Sequence, residues 1–324
     1  MKQKQELKHE IPIFFTADNG YVPYLAVAIK SLTENASPDY KYSIIVLHEK
    51  ISKKNIETLK TFENEYVSVS FYEMENRIEG ITDRMSNRLR CDYFTLTIYF
   101  RLFIPTMFPE YNKGIYIDSD IVVPGDISKL YEVELGNNLI GACRDFSIQK
   151  IPELCNYMDH GVGVGREKYI NSGVLLMNMK RLREVELDKE FLRLLNTYHF
   201  DTIAPDQDYL NVMCNGSITY LDECWDAMPK DGKKELENPM LIHYNLFSKP
   251  WCYDGVQYEE YFWKYAKETP YMEEIVKHKE NYSDEQKASD QNCLEVLIRH
   301  SGEIAEEKEN FCTVYESGRE HRLQ

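Results

Sequence analysis

From residue 11 onward the chain alternates apolar runs of strand length with amphipathic segments of helical period. Residues 11–16 predict a first strand, with Pro12 tolerable near its start. Leu25, Ala28, Ile29 and Leu32 recur at helical spacing and predict a helix over 24–32, followed by a second strand over 42–47. Ser52 suits the N-cap of a helix that turns Ile56 and Leu59 inward; Val67, Val69 and Phe71 then alternate with serines in a third strand. This βαβαβ order predicts an α/β fold, a mostly parallel sheet flanked by helices, with ligands beyond the carboxyl ends of its strands. Farther along, 94–103 reads as an apolar helix, 139–143 and 170–177 as strands, 188–198 and 206–214 as helices, 241–244 as a short strand and 256–267 as an aromatic-rich helix. The glycines within 161–165 predict a flexible connector or lid, because their spacing is not that of a dinucleotide fingerprint. Pro270 marks a boundary, and Ser283 with Gln286 then frames a capping box that opens a long helical pattern. The expected division is a tail over 1–10, an α/β domain over 11–269 and a helical extension over 270–324.

Composition narrows the options. A chain of 324 residues with 43% hydrophobic content can bury one large core or two modest ones. A net charge of −16 argues against a nucleic-acid partner, since phosphate-backbone binding needs a cationic surface. An anionic ligand would need local help from a divalent cation, a helix N-terminus or a few placed lysines. The N-terminus lacks an apolar signal core, and the most hydrophobic tract, 96–108, is interrupted by Arg101 and Pro105. No transmembrane span is expected, membrane association is at most peripheral, and an acidic extension disfavours anchoring on anionic lipid. Eight cysteines with no CxxC pair predict a reducing cytoplasm, where a chain of this size needs no disulfide and free thiols are the expectation, with disulfides open in principle.

The chemistry centres on Asp118 and Asp120, flanked by Ile115, Tyr116 and Ile117 on one side and Ile121, Val122 and Val123 on the other. Carboxylates so close to a core must be paired, neutralised or bound to a metal. Positions i and i+2 of an extended segment point the same way, so both can reach one hard cation. A polar turn closing a strand is the competing interpretation, and Asp206-Gln207-Asp208 shows how readily the bare pattern recurs. His243, ending a short apolar strand, offers either a third ligand or a core histidine.

In chain order, FTADNGYVPYL, YFRLFIP, YIDSDIVV, IGACRD, YINSGVLLMNM, PDQDYLN and HYNLFSKPW together resemble glycosyltransferase family 8, over roughly residues 11–263. These are retaining sugar-nucleotide transferases with the GT-A nucleotide-sugar-binding fold. The resemblance implies that Asp118, Asp120 and His243 bind a divalent metal, usually manganese with magnesium possible, which holds the diphosphate of a UDP-sugar. It implies that Ser119 lies within the same motif, that Lys249 contacts phosphate, and that Ala17, Asp18, Asn19 and Tyr21 cradle uridine. Arg101, Asp145, Asn171, Asp206 and Gln207 match positions lining donor sugar and acceptor, with Asn171, Asp206 and Gln207 nearest the chemistry.

The resemblance thereby implies a metal-dependent hexosyltransferase that moves glucose or galactose from a UDP-hexose donor to a saccharide acceptor in bacterial surface-glycan synthesis. Gln207 is a poor nucleophile, which favours attack on the face from which UDP departs over a covalent intermediate. A nucleotidyl or phosphoryl transferase would share metal and nucleotide, but the chain has no P-loop. A non-catalytic glycan-binding scaffold would have no reason to hold such costly charges together. One departure stands out: many relatives carry glycine where this chain has Leu246, and a bulky residue there is expected to hinder backbone approach to phosphate.

Overall fold

The computed structural model describes residues 9–74, 96–230, 232 and 234–324. Expectations for residues 1–8, for the start of the helix at 94–95 and for Cys91 lie outside these. β1 (Glu10–Ala17), β2 (Lys41–His48) and β3 (Val67–Glu73) run parallel, joined by α1 (Val22–Asn35) and α2 (Lys53–Lys60). Ser52 caps α2 by accepting from the Asn55 amide at 3.2 Å. A 3-10 turn at Leu96–Tyr99 leads into α3 (Phe100–Met107), which runs past Pro105. Then come β4 (Gly114–Ile117), β5 (Ile121–Val122), α4 (Ser128–Tyr131), β6 (Ile140–Arg144) and α5 (Pro152–Asn156). β7 (Ile170–Met177), α6 (Met179–Glu184), α7 (Leu187–Tyr198), α8 (Pro205–Cys214), β8 (Ile218–Tyr220) and β9 (Ile242–His243) complete the α/β part. Toward the C-terminus lie α9 (Glu259–Ala266), α10 (Met272–Glu280), α11 (Asp284–Ala305) and α12 (Phe311–Glu316).

The main sheet has the order β3-β2-β1-β4-β7-β6-β8, with β7 antiparallel to both its neighbours. Its central strands are covered on both faces, which is why they read as nearly continuous apolar runs. Ile11, Ile13 and Phe15 of β1 enter the core that also holds α1, whereas Phe14 enters the opposite core with Tyr116 and α7. β5 and β9 form a separate antiparallel pair.

Several expectations are corrected. Asp118 and Asp120 do not sit on one continuous strand. β4 ends at Ile117, the Asp118 amide donates to the Gly173 carbonyl at 2.8 Å, and the chain turns into the small sheet at Ile121. Two ionised side chains would be too costly within a fully covered strand, and the switch between sheets brings them to its rim.

The glycine-rich 161–165 segment is not a free lid. Tyr157–Val162 forms a π-helical turn closed by Gly163 at φ 73°, and a Cβ on Gly163 would lie 2.8 Å from the Cys312 backbone. It is the seat of α12. The helices of the C-terminal extension pack on the second core: Leu297, Ile304, Phe311 and Val314 are buried, and the Phe311 ring lies 4.9 Å from Tyr209 of α8. Leu294, Leu297, Ile298 and Ile304 fall on one helical face, a stripe that charge balance alone hides.

Cys293 is disulfide-bonded, against the expectation of free thiols, while Cys143, Cys155, Cys214, Cys224, Cys252 and Cys312 are free. Among the described residues no helix is long and apolar enough to cross a membrane.

Candidate active site

The site forms where β4, β5, β7 and β9 meet. β5 and β9 pair Ile121 with His243, which brings the imidazole beside Asp120. His243 Nε2 lies 3.3 Å from Asp120 Oδ1 and 3.9 Å from Asp118 Oδ2, and one ligand atom from each of the three residues falls within 4.8 Å of the others. On the other side of the ring, Nδ1 faces Asp226 Oδ1 at 3.0 Å. Buried Asp226 orients the ring through Nδ1 and so turns Nε2 toward Asp118 and Asp120, where a bound cation would take the place of the Nε2 proton. Burial opposes charging this ring, but Asp120 and then Asp226 outweigh it and lift the His243 pKa to about 10. Burial likewise opposes ionising Asp120, yet Lys249 and His243 hold its pKa far below the ordinary carboxylate range.

Gly173 of β7 leaves the space these groups occupy. A Cβ there would stand 2.3 Å from His243 Cε1 and 2.9 Å from Asp118 Oδ2. Two carboxylates and one imidazole converging over a glycine fit manganese by donor chemistry, with magnesium less tolerant of nitrogen. Asp118 is fixed from behind: the Tyr116 hydroxyl donates to its Oδ1 at 2.6 Å, and Thr16 Oγ1 lies 2.8 Å from that hydroxyl. Ser119 turns inward, its Oγ donating to the Thr16 carbonyl at 2.7 Å.

Arg101 ties this cluster to α8. Its guanidinium is 5% exposed and donates to Asp118 Oδ1 at 2.9 Å and to the Ser172 carbonyl at 2.7 Å, with Nε 3.1 Å from Asp206 Oδ2. The Ser172 hydroxyl also donates to Asp206 at 2.9 Å. Gln207 is gripped at both ends: Oε1 accepts from the Ser172 amide at 3.0 Å and Nε2 donates to Asp145 Oδ2 at 3.1 Å. Asn171 donates to the same Asp145 oxygen at 3.1 Å and accepts from the Gly173 amide at 2.8 Å. Behind them, buried Asp208 accepts from Tyr157 at 2.7 Å, Tyr169 at 2.5 Å and the Ala204 amide at 3.0 Å, which fixes the start of α8. Burial pushes the Asp208 carboxyl up to about 6 despite those donors.

At the carboxyl end of β1, Ala17 is buried and Asp18 Oδ1 accepts from the Tyr21 amide at 2.9 Å. Asn19 Oδ1 accepts from the Ser52 amide at 2.9 Å, which links this loop to the α2 N-terminus. Tyr21 packs edge-on against Tyr24, which stacks on Trp251 at 4.1 Å. That stack joins the β1 loop to the loop after β9, where Lys249 Nζ bonds Asp120 and the Tyr244 carbonyl.

Leu246 adopts φ 56°, the conformation a glycine would take, at roughly 1–2 kcal/mol for an L-residue. The backbone at this position is thus glycine-like, although the side chain is not. Asn245 supports it: its Oδ1 accepts from the Leu246 amide at 2.7 Å, its Nδ2 donates to Ser147 Oγ at 3.2 Å, and Ser147 in turn donates to Asp145 at 2.5 Å.

The structure thus brings Arg101, Asp118, Asp120, Asp145, Asn171, Asp206, Gln207, His243 and Lys249 into one contiguous network, with Ala17, Asp18, Asn19 and Tyr21 on a loop joined to it through Trp251. Sequence reasoning missed Gly173, Ser172, Asp226 and Tyr116. The NSG triplet in β7 was a visible signal for the first two; Asp226, within a short 3-10 turn, had none.

Known proteins resemble this chain in sequence and in fold. The chain is 27% identical to a putative glycosyltransferase of Haemophilus influenzae over 74% of its own length and 72% of the relative. It is 24% identical to the lipopolysaccharide 1,2-glucosyltransferase of Escherichia coli, covering 76% and 75%. Among solved structures, the bifunctional glycosyltransferase WbbM superposes with a TM-score of 0.74 at 25% identity over 84% of this chain, which spans 52% of WbbM. The galactosyltransferase LgtC, solved with donor and acceptor sugar analogues, gives a TM-score of 0.67 at 23% identity, covering 86% of this chain and all of LgtC, and shares the fold. The family profile of glycosyl transferase family 8 matches residues 12–255, about three quarters of the sequence, and the chain belongs to that family.

Proposed function

We infer that this protein transfers a hexose, glucose or galactose, from a UDP-hexose to a saccharide acceptor with retention of configuration, in the synthesis of a bacterial surface glycan in the cytoplasm. The observation that carries this is the convergence of Asp118, Asp120 and His243 above Gly173, with Lys249 beside them. Those three side chains would hold manganese or magnesium, which when bound supplies Lewis-acid stabilisation to the departing diphosphate. Lys249 adds a point charge for phosphate. Ala17, Asp18, Asn19 and Tyr21 shape the uridine pocket, Asp18 through the carboxylate oxygen that Tyr21 leaves free.

Asp145, Asn171 and Gln207 orient the sugar hydroxyls. Asp206 is bound to Arg101 and Ser172, which weakens it as a nucleophile, and Gln207 carries no charge. These constraints favour a front-face substitution: the C1 bond to the phosphate oxygen breaks, the bond from C1 to the acceptor oxygen forms on the same face, and the acceptor proton passes to the departing phosphate oxygen.

Asp120→Asn and metal stripping are the tests, read by UDP-hexose turnover and calorimetric UDP binding. Each should lower turnover by roughly 10²–10³-fold or more while circular dichroism stays native. Full activity in excess chelator would overturn metal dependence. A β-linked product from an α-linked donor, or a kinetically competent glycosyl adduct on Asp206 or Gln207, would overturn the front-face route.

A further inference from the structure

Front-face attack constrains where the acceptor stands. Its hydroxyl must lie between the leaving phosphate and the hexose, hence beside the loop that joins His243 to Lys249 and facing Asp145 and Gln207. Leu246 sits midway along that loop, half-buried and held at φ 56° by the Asn245–Ser147–Asp145 hydrogen-bond chain. Leu246 lines a small cavity together with Asp145, Gln207, Ile148 and, from α11, Leu294 and Leu297. The open space is about 20 Å³, enough for about one water molecule. α11 lies beyond the family-matched residues 12–255, so this wall combines a loop residue of the shared domain with a helix of the C-terminal extension.

Resting on the transferase reading above, we propose that Leu246, backed by Leu294 and Leu297, is the specificity-determining residue of the acceptor side. It excludes acceptor sugars that carry a bulky substituent next to the reacting hydroxyl. A residue held in a strained conformation so that its side chain fills the space beside two sugar-facing polar groups is placed for shape selection, and non-glycine residues at positive φ concentrate at functional positions. The apolar wall offers no hydrogen bond to replace those that an acetamido group would lose to water, so both its shape and its chemistry act against such a group.

The test compares the wild-type chain with Leu246→Gly and, independently, Leu294→Ala. Acceptors are the methyl glycosides of glucose and galactose and their 2-acetamido-2-deoxy counterparts, with water as the smallest acceptor through UDP-hexose hydrolysis. The readout is the ratio of kcat/KM for acetamido over parent acceptor, which partial unfolding does not move. Leu246→Gly should raise that ratio at least tenfold, with a smaller rise in Leu294→Ala, and should lower the acceptor KM for the acetamido sugar more than it alters kcat. A ratio unchanged in both variants, in enzymes that still hydrolyse UDP-hexose, overturns this proposal and leaves the transferase reading standing. Absence of hydrolysis and of UDP binding in the wild-type chain overturns both.

Discussion

The two sides of the site are built in opposite ways. On the leaving-group side, Asp118, Asp120, His243, Asp226 and Lys249 form a dense polar network in which nearly every atom has a named partner, over a glycine that cannot be enlarged. On the far side, Leu246, Leu294 and Leu297 meet across a small apolar gap, brought together from the loop after β9 and a helix some fifty residues later. Directional bonds leave the first side one geometry. On the second only the Leu246 backbone is held by hydrogen bonds, and its side chains are placed by volume, which tolerates exchange of one apolar group for another. On the proposed function, the difference teaches where variation can enter such a site: the charged half would have to be kept to keep chemistry, whereas a change in the apolar half would alter selectivity.

The largest break in this comparison should come from the smallest substitution. Gly173→Ala places a methyl group 2.3 Å from His243 Cε1, and the ring or β7 must move. A displacement approaching 1 Å is expected to lower kcat/KM by about 100-fold, with the fold intact by circular dichroism. An alanine variant within threefold of the parent would show that the charged side is less rigid than its contacts imply. Asp226→Asn should act more gently. The amide can face Nδ1 with its oxygen or its nitrogen, so the His243 tautomer is no longer fixed, and manganese affinity should fall by about 10- to 100-fold in a direct titration. Unchanged affinity would mean that Nε2 is presented without help from Asp226.

The same contrast explains what the sequence made legible. The βαβαβ half was readable because each element carries its own period, from the buried run of β1 to the Ser52 cap of α2. Asp118, Asp120, His243 and Lys249 were readable because they lie in short segments whose order resembles a family. The strand break at Asp118 was not, since IYIDSDIVV has the composition of one continuous strand, and the switch depends on β9 pairing with Ile121 from more than a hundred residues away. β8 was missed because three residues carry too little period to register. The role of 161–165 was misjudged because Gly163 is required by close approach to Cys312, a contact that exists only once α12 has docked. Arg101 was expected among sugar-facing groups; its bonds to Asp118, Asp206 and Ser172 make it the strut between the carboxylates.

The smallest expected effect sharpens the comparison from the apolar side, because α11 must stay in place for Leu294 and Leu297 to line the cavity. His300 on that helix has Nε2 2.8 Å from Asp201 Oδ2, in the segment leading into α8, and Nδ1 3.1 Å from Glu303 Oε2. Asp201 above all, with Glu303 adding to it and partial burial opposing, raises the His300 pKa to about 9. Because the folded value lies above the unfolded value near 6.5, the protonated ring stabilises the folded state fully below about pH 6.5, and that contribution is lost as pH rises through about 9. Glu303 is largely exposed, so solvent screening reduces the effect to on the order of 1 kcal/mol. His300→Gln should therefore lower the melting temperature by a few degrees at pH 6 and by little at pH 9.5, so the difference between parent and variant shrinks with pH. A gap that stayed constant across that range would assign His300 a packing role instead.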